Sequence, residues 1–144
     1  MISEIMTGIS KRIFDFFGSK YAIYGDEKVT QCFDAPCFFI TLKQCSKHNM
    51  IGGRFLLRCT FDIKYFPQNP HSHDEMFNIA TGLFCALEFI QTESDGKMHG
   101  TSMQYESKEG ILHFYVNYNL FGYKNSESDV METKTMAVNS ALKG

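Results

Sequence analysis

The chain contains five cysteines and five histidines, the side chains best suited to metal binding and nucleophilic catalysis. Cys32, Cys37, Cys45 and His48 are the right residue types for a tetrahedral zinc site. Their spacing does not match the common zinc knuckles, and Cys37 lies at the entry of a predicted strand, where a small apolar side chain fits anyway. We therefore predict small, partly buried thiols and no metal site.

The histidines do not form a recognisable catalytic group. His71 and His73 flank the start of a predicted helix, a position where side chains are usually solvated. His113 is predicted on the outer face of a strand beside Tyr115, and no serine, cysteine or carboxylate can be assigned as its partner. The glycine pair at 52–53 lacks the strand–loop–helix context of a phosphate-binding loop. The sequence thus predicts no catalytic residue and no cofactor.

Composition places the chain among ordinary globular domains. Its 144 residues, 44% of them hydrophobic and 21% charged, are enough for one core. The net charge of −2 gives no basic stripe of the kind that holds nucleic acid. The 14 Phe and 7 Tyr suit a sheet and also contacts between subunits. An odd number of cysteines without a signal peptide predicts a reduced, intracellular compartment, and no segment is long enough to span a membrane.

Hydrophobic spacing predicts the first elements. Residues 2–17 carry an apolar stripe at helical spacing, formed by Ile2, Ile5, Met6, Ile9, Ile13, Phe16 and Phe17. Gly18 is expected to end this helix. A short strand is predicted at 20–25, a polar loop at 26–34 and a strand from 37. Residues 43–53 are predicted to form a long, mobile hairpin connection.

The second half of the chain is patterned as clearly. Residues 54–66 alternate between apolar and mostly polar side chains, which predicts a strand with one buried face. Ser72 and Glu75 fit a capping box at the start of a helix that should end near Gln91, before a polar loop at 92–97. Two alternating segments, 102–106 and 111–120, predict a hairpin.

These elements predict an α+β fold with an antiparallel-rich sheet of about five strands and two helices on one face, in the order α-β-β-β-α-β-β. The predicted domain spans residues 1–123. Residues 124–144 form a polar tail. We expect a partner to order this tail, with packing back on the domain as the alternative.

The sheet face away from the helices is predicted to mix apolar side chains, Phe39 among them, with charged ones. Scattered exposed apolar residues are normal on any surface. A contact face between copies is the other interpretation, since arginine and aromatic residues are favoured at interfaces. The candidate interface residues are Arg54, Leu56, Arg58, Asp62, Lys64, His113 and Tyr115.

Several segments carry a resemblance to a known family. PCFFITL, RFLLRCTFDIKYFP, ALEFIQ and MHGTSMQYESKEGILHFYVNYNL, with the first helix, resemble the phage tail terminator family of long-tailed, often contractile, phages and prophages of Gram-positive hosts. The similarity covers roughly residues 1–123. It implies a terminator-like fold and a ring, expected to be a hexamer, that stops tail-tube polymerisation. The family has no catalytic residues to transfer.

The resemblance also implies partners and a location. The partners would be further copies of the chain, the tail tube protein and the head–tail connector or neck protein, with the sheath protein as a further candidate. DNA would only pass through the lumen, and no membrane is involved. The protein would be assembled in the host cytoplasm and reside in the tail or neck of the virion. The candidate loop to a neighbouring ring comprises Cys45, Lys47, His48, Asn49 and Met50.

Three other functions compete with this interpretation. A head–tail connector or neck completion protein of the same particle shares a similar element order. A small non-viral binding module would use the aromatic sheet face for a peptide or ligand and would be a monomer. An enzyme is the least favoured, because no nucleophile and base can be paired.

Overall fold

A computed structural model describes residues 2–25, 36–93 and 96–123 of the chain. The predicted loop at 26–34 and the predicted tail at 124–144 lie outside these residues. The helices and strands are α1 (Ile2–Phe17), β1 (Ala22–Tyr24), β2 (Cys37–Asn49), β3 (Arg54–Phe66), α2 (His73–Ala86), β4 (Phe89–Thr92), β5 (Gly96–His99), β6 (Thr101–Lys108) and β7 (Ile111–Tyr123).

Five strands form the main sheet in the order β1-β2-β3-β7-β6. All neighbours are antiparallel except β1 and β2, which run parallel. The predicted α+β fold with two helices and a five-stranded sheet is confirmed, although the sheet is mixed and not purely antiparallel. The long strands β3 and β7 lie side by side in the sheet, and alternate side chains of each contribute to one apolar face.

The core lies between that apolar face and the two helices. Helix α1 contributes Ile5, Ile9 and Ile13, and α2 contributes Ala80 and Leu83, all fully buried. The sheet contributes side chains that alternate along the central strands: Phe61, Ile63, Tyr65, Leu112, Phe114, Val116, Tyr118 and Leu120. The apolar side chains that repeat every 3.6 residues in the helices and every two residues in the strands therefore pack together in one core. None of the described helices is long and apolar enough to cross a membrane.

Two hydrogen bonds fix the C-terminal half of helix α1: one ends the helix, and the other joins it to α2. Its predicted end is confirmed, because Gly18 adopts a φ of 92° and its N–H donates to the Phe14 carbonyl at 2.9 Å. Arg12, on the polar side of the helix, donates from Nε to the Ala86 carbonyl at 2.8 Å. That contact places a positive charge at the C-terminal end of α2, where the helix dipole favours it.

The prediction for the end of α2 was wrong. The helix ends at Ala86, and the following residues form β4, which pairs with β5 as a separate two-stranded sheet. Leu87 and Ile90 are buried, as the helical spacing predicted. The predicted burial of these side chains was therefore correct, but the predicted helical backbone was not. Gly96, the first residue of β5, has a φ of 69°, a backbone conformation that glycine adopts readily.

The prediction of a long loop at 43–53 was also wrong. Strand β2 continues to Asn49, and the connection to β3 is a single 3-10 turn at Ile51–Gly53. Residues 43–49 are exposed, so the hydrophobic alternation that identifies a strand is missing there. Backbone pairing to β3 holds the segment extended, with Asn49 opposite Phe55.

Three individual predictions need correction. Phe16, assigned to the buried face of α1, is 49% exposed, whereas Phe39, assigned to the open sheet face, is buried beside Tyr24 and Phe66. Cys37 is disulfide-bonded instead of being a free thiol.

Helix α2 begins with half of the predicted capping box. The Ser72 hydroxyl accepts from the Glu75 N–H at 3.1 Å, as predicted. The Glu75 carboxylate instead accepts from the Tyr65 hydroxyl at 2.7 Å and from the Gln68 and Asn69 N–H groups at 2.9 and 3.1 Å. It therefore ties the end of β3 to the start of α2.

We expect Glu75 to make stability depend on acid pH. Partial burial raises the pKa of Glu75, but the Tyr65 and backbone hydrogen bonds lower it more, so the net pKa lies below the usual 4.5. A lowered folded-state pKa means that the stabilisation is complete above 4.5 and is lost as pH falls through the folded value. Glu75→Gln should cost about 1–2 kcal/mol at neutral pH and flatten this acid slope in urea unfolding. Glu88→Gln, at an exposed carboxylate, is the control, and an unchanged slope in Glu75→Gln would contradict the assignment.

Candidate subunit interface on the helix-free face of the sheet

The sheet face opposite the helices, called the helix-free face, carries the alternate side chains of β3 and β7. Its register is set by pairs such as Asp62 with Tyr115 and Lys64 with His113. All seven residues predicted as an interface lie on this face. The structure separates them into two groups with different surroundings.

The first group is a bonded cluster around Asp62. The Asp62 side chain is almost buried, with 8% of the residue exposed. Its carboxylate lies 3.1 Å from His113 Nδ1 and 3.8 Å from Lys64 Nζ. The Thr41 hydroxyl, on the neighbouring strand β2, donates to the Asp62 carbonyl at 3.3 Å. A carboxylate removed from water needs such partners, so these contacts stabilise the centre of the sheet.

Tyr115 extends the cluster toward β6. Its hydroxyl donates to Glu106 at 2.9 Å, and Lys43 Nζ lies 4.2 Å from the ring centroid. Burial first, then the hydrogen bond to Glu106 and the Asp62 charge, raise the pKa of Tyr115 to about 12. The phenol therefore stays protonated at neutral pH and serves as a hydrogen-bond donor, not as a base.

The second group, called the distal patch, lies at the other end of the helix-free face. Arg54 pairs with Tyr123, Leu56 with Phe121, and Arg58 with Asn119. Both arginines are exposed, and Phe121 and Tyr123 are 50% and 48% exposed. The distal patch is defined as Arg54, Leu56, Arg58, Phe121 and Tyr123. Its composition, arginine and aromatic rings around a leucine, is that of an interface core.

One polar atom beside the distal patch is unsatisfied. Among the described residues, Asn119 Oδ1 is buried and has no hydrogen-bond partner. A buried acceptor without a donor costs free energy.

The β2–β3 hairpin carries the residues predicted to reach a neighbouring ring. Cys45, Lys47, His48 and Asn49 lie on the exposed end of β2, and Met50 begins the turn. Ile51, at the turn itself, is 89% exposed. His48 is paired with Leu56 of the distal patch, so the hairpin and the patch form one continuous surface.

The other predicted chemistry-bearing residues are not brought together. His71 and His73 are exposed at the start of α2. Within the described ranges, no group of three or more His, Cys, Asp and Glu side chains is placed to hold a metal ion. Sequence reasoning missed Tyr123 and Lys43. Tyr123 continues the alternation of β7 beyond residue 120, the predicted end of the strand. Extending the predicted strand by three residues would have placed Tyr123 on this face.

A family model described as phage tail terminator protein matches residues 4–130, which is most of the chain. No curated protein matches the chain.

Proposed function

The chain belongs to the phage tail terminator family, a structural family of virion proteins, and we propose that it forms a ring that caps the tail tube. In this proposal the ring docks on the last tube ring, ends polymerisation and presents its opposite side to the head connector. The action is steric and interfacial, and no bond is made or broken. The partners are further copies, the tail tube protein and the connector, with DNA passing through the lumen.

The observation that carries the proposal, besides the family, is the distal patch. Exposed arginine and aromatic side chains stand there beside the unsatisfied Asn119 acceptor. A neighbouring copy would bury the exposed rings of Phe121 and Tyr123. Contacts between two different surfaces of identical subunits close a ring when the rotation between copies allows it.

The bonded cluster has a different role from the distal patch. Asp62 already pairs with Lys64 and His113 inside the subunit, and the Tyr115 hydroxyl donates to Glu106. These contacts support the register of β3 and β7 at the end of the helix-free face away from the distal patch. In the proposal the subunit contact is made chiefly by the distal patch, and the hairpin turn contacts the adjoining ring.

We expect Arg58→Glu to reduce the yield of particles with tails of fixed length at least tenfold. Arg58 is exposed, so the subunit should fold normally. A reversed charge in a contact between copies costs several kcal/mol, and tenfold corresponds to about 1.4 kcal/mol. Electron micrographs of complemented particles measure the effect.

The matched control is Lys11→Glu, which makes the same change in charge on α1. Lys11 is well exposed and its contact with Asp15 is a surface pair, which contributes little. Equal losses from both variants, or none from Arg58→Glu, would contradict the role of the distal patch.

A head–tail connector or neck protein of the same particle is the alternative within the virion. The family match supports the terminator role over this one. A monomeric binding module remains testable by light scattering of the purified protein at high concentration and in the presence of tail tubes.

A further inference from the structure

Cys45 and Cys59 face each other across β2 and β3. They are direct partners in the antiparallel register, and their Sγ atoms are 2.6 Å apart. Opposed residues of an antiparallel pair have Cα separations of about 4.5–5.5 Å. That spacing lies inside the range of about 4.4–6.8 Å that a disulfide requires. The backbone therefore needs no rearrangement to join the two sulfurs.

The two thiols differ in access. Cys59 is fully buried among the core side chains, whereas Cys45 is exposed. Burial first, and then the neighbouring Cys45 thiol, raise the pKa of Cys59 far above its usual value. Cys59 is thus the less reactive of the two thiols, and a reagent arriving from solvent meets Cys45 first.

We propose that Cys45 and Cys59 form a dithiol site that reacts with a low-molecular-weight disulfide and closes to a cross-strand disulfide. In the first step Cys45 attacks the small disulfide, giving a mixed disulfide and one free small thiol that takes the Cys45 proton. In the second step the Cys59 sulfur attacks Cys45, forming the cross-strand bond. It releases the second small thiol, which takes the Cys59 proton. The protein thiols are oxidised and the small disulfide is reduced.

The bond would close the hairpin that carries the exposed turn. Residues between the two cysteines include Met50 and Ile51, which protrude from the sheet. Closing a loop of roughly 15 residues restricts the unfolded chain and holds the strand pairing of an arm whose side chains are otherwise exposed. This inference goes beyond the proposed function and does not depend on it.

The test uses the full chain, fully reduced and then exposed to oxidised glutathione. Because the disulfide at Cys37 also responds to reduction, the readout is the proteolytic peptide linking Cys45 to Cys59, identified by mass spectrometry. We expect that linked peptide as the main product of Cys45, and a Tm higher by roughly 5–10 °C than that of Cys45→Ser oxidised in parallel. Cys85→Ser, which removes an exposed free thiol on α2, should leave both results unchanged.

Two outcomes would overturn the proposal. One is a stable glutathione adduct on Cys45 without closure. The other is linkage of Cys45 to Cys85 at a similar yield. Cys45→Ser is at an exposed position and should fold, so the test does not depend on substituting the buried Cys59. Tail assembly is not part of the readout, so failure here leaves the proposed ring untouched.

Discussion

Phe114→Ala is expected to lower the free energy of unfolding by about 3–5 kcal/mol. Phe114 is fully buried in the middle of β7, beside Phe84 of α2 with ring centroids 5.0 Å apart. Its removal leaves a cavity between the sheet and α2 that rigid neighbours cannot fill. Urea unfolding followed by circular dichroism measures the loss, which is a large part of the roughly 5–15 kcal/mol typical of a domain.

The adjacent residue provides a matched control. Tyr115 points to the helix-free face, where its hydroxyl bonds Glu106 and its ring meets Lys43. Tyr115→Ala should cost only about 1–1.5 kcal/mol, because a partly exposed ring leaves no cavity and one hydrogen bond is lost. Similar costs for the two variants would show that the assignment of the two faces of β7 is wrong.

Ile51→Asp is expected to reduce the joining of tails to heads strongly while leaving the subunit folded. Ile51 is 89% exposed at the hairpin turn, so the substitution should change the unfolding free energy by less than about 0.5 kcal/mol. A carboxylate buried in a contact with an adjoining ring would be desolvated without a partner, which costs several kcal/mol. The fraction of joined particles should fall at least tenfold, counted in electron micrographs.

Deleting residues 45–50, which contain the candidate loop to a neighbouring ring, would be a weaker test. Five of these residues pair with β3, so the deletion also removes strand pairing. The substitution Ile51→Asp changes the proposed contact surface without removing strand pairing, so it distinguishes loss of contact from loss of stability. Its control is Thr7→Asp, which adds the same charge on the exposed side of α1. Normal joining of tails to heads in Ile51→Asp particles would contradict the proposed contact between the hairpin turn and an adjoining ring.

The central fold was predictable because its elements carry a strong period. Every second residue of β3 and β7 is apolar over most of each strand, and the stripe of α1 repeats at helical spacing, so most core residues could be predicted from the sequence. The family was recognisable for the same reason, since the segments that carry the resemblance are these elements. The match over residues 4–130 confirms it.

Other features depend on tertiary contacts, which the spacing of hydrophobic residues along the sequence does not reveal. The polar end of β2 is a strand only because β3 holds it, and the Asp62–His113 contact depends on the register between two strands far apart in sequence. Likewise, Glu75 bonds Tyr65 because the chain turns after β3, a tertiary contact that no capping pattern includes. The sequence predicted that the interface residues share one face of the sheet. Their division into a bonded cluster and an exposed patch became visible only in the structure, which places Glu106 and Lys43 against Tyr115.

The most direct test of the proposed ring is the length of tails assembled without this protein. If the protein caps the tube, particles from a host that lacks it should contain tails of widely varying and often excessive length, and complementation should restore one fixed length. Tails of normal, uniform length that remain unattached to heads would contradict the capping role and favour a neck protein instead.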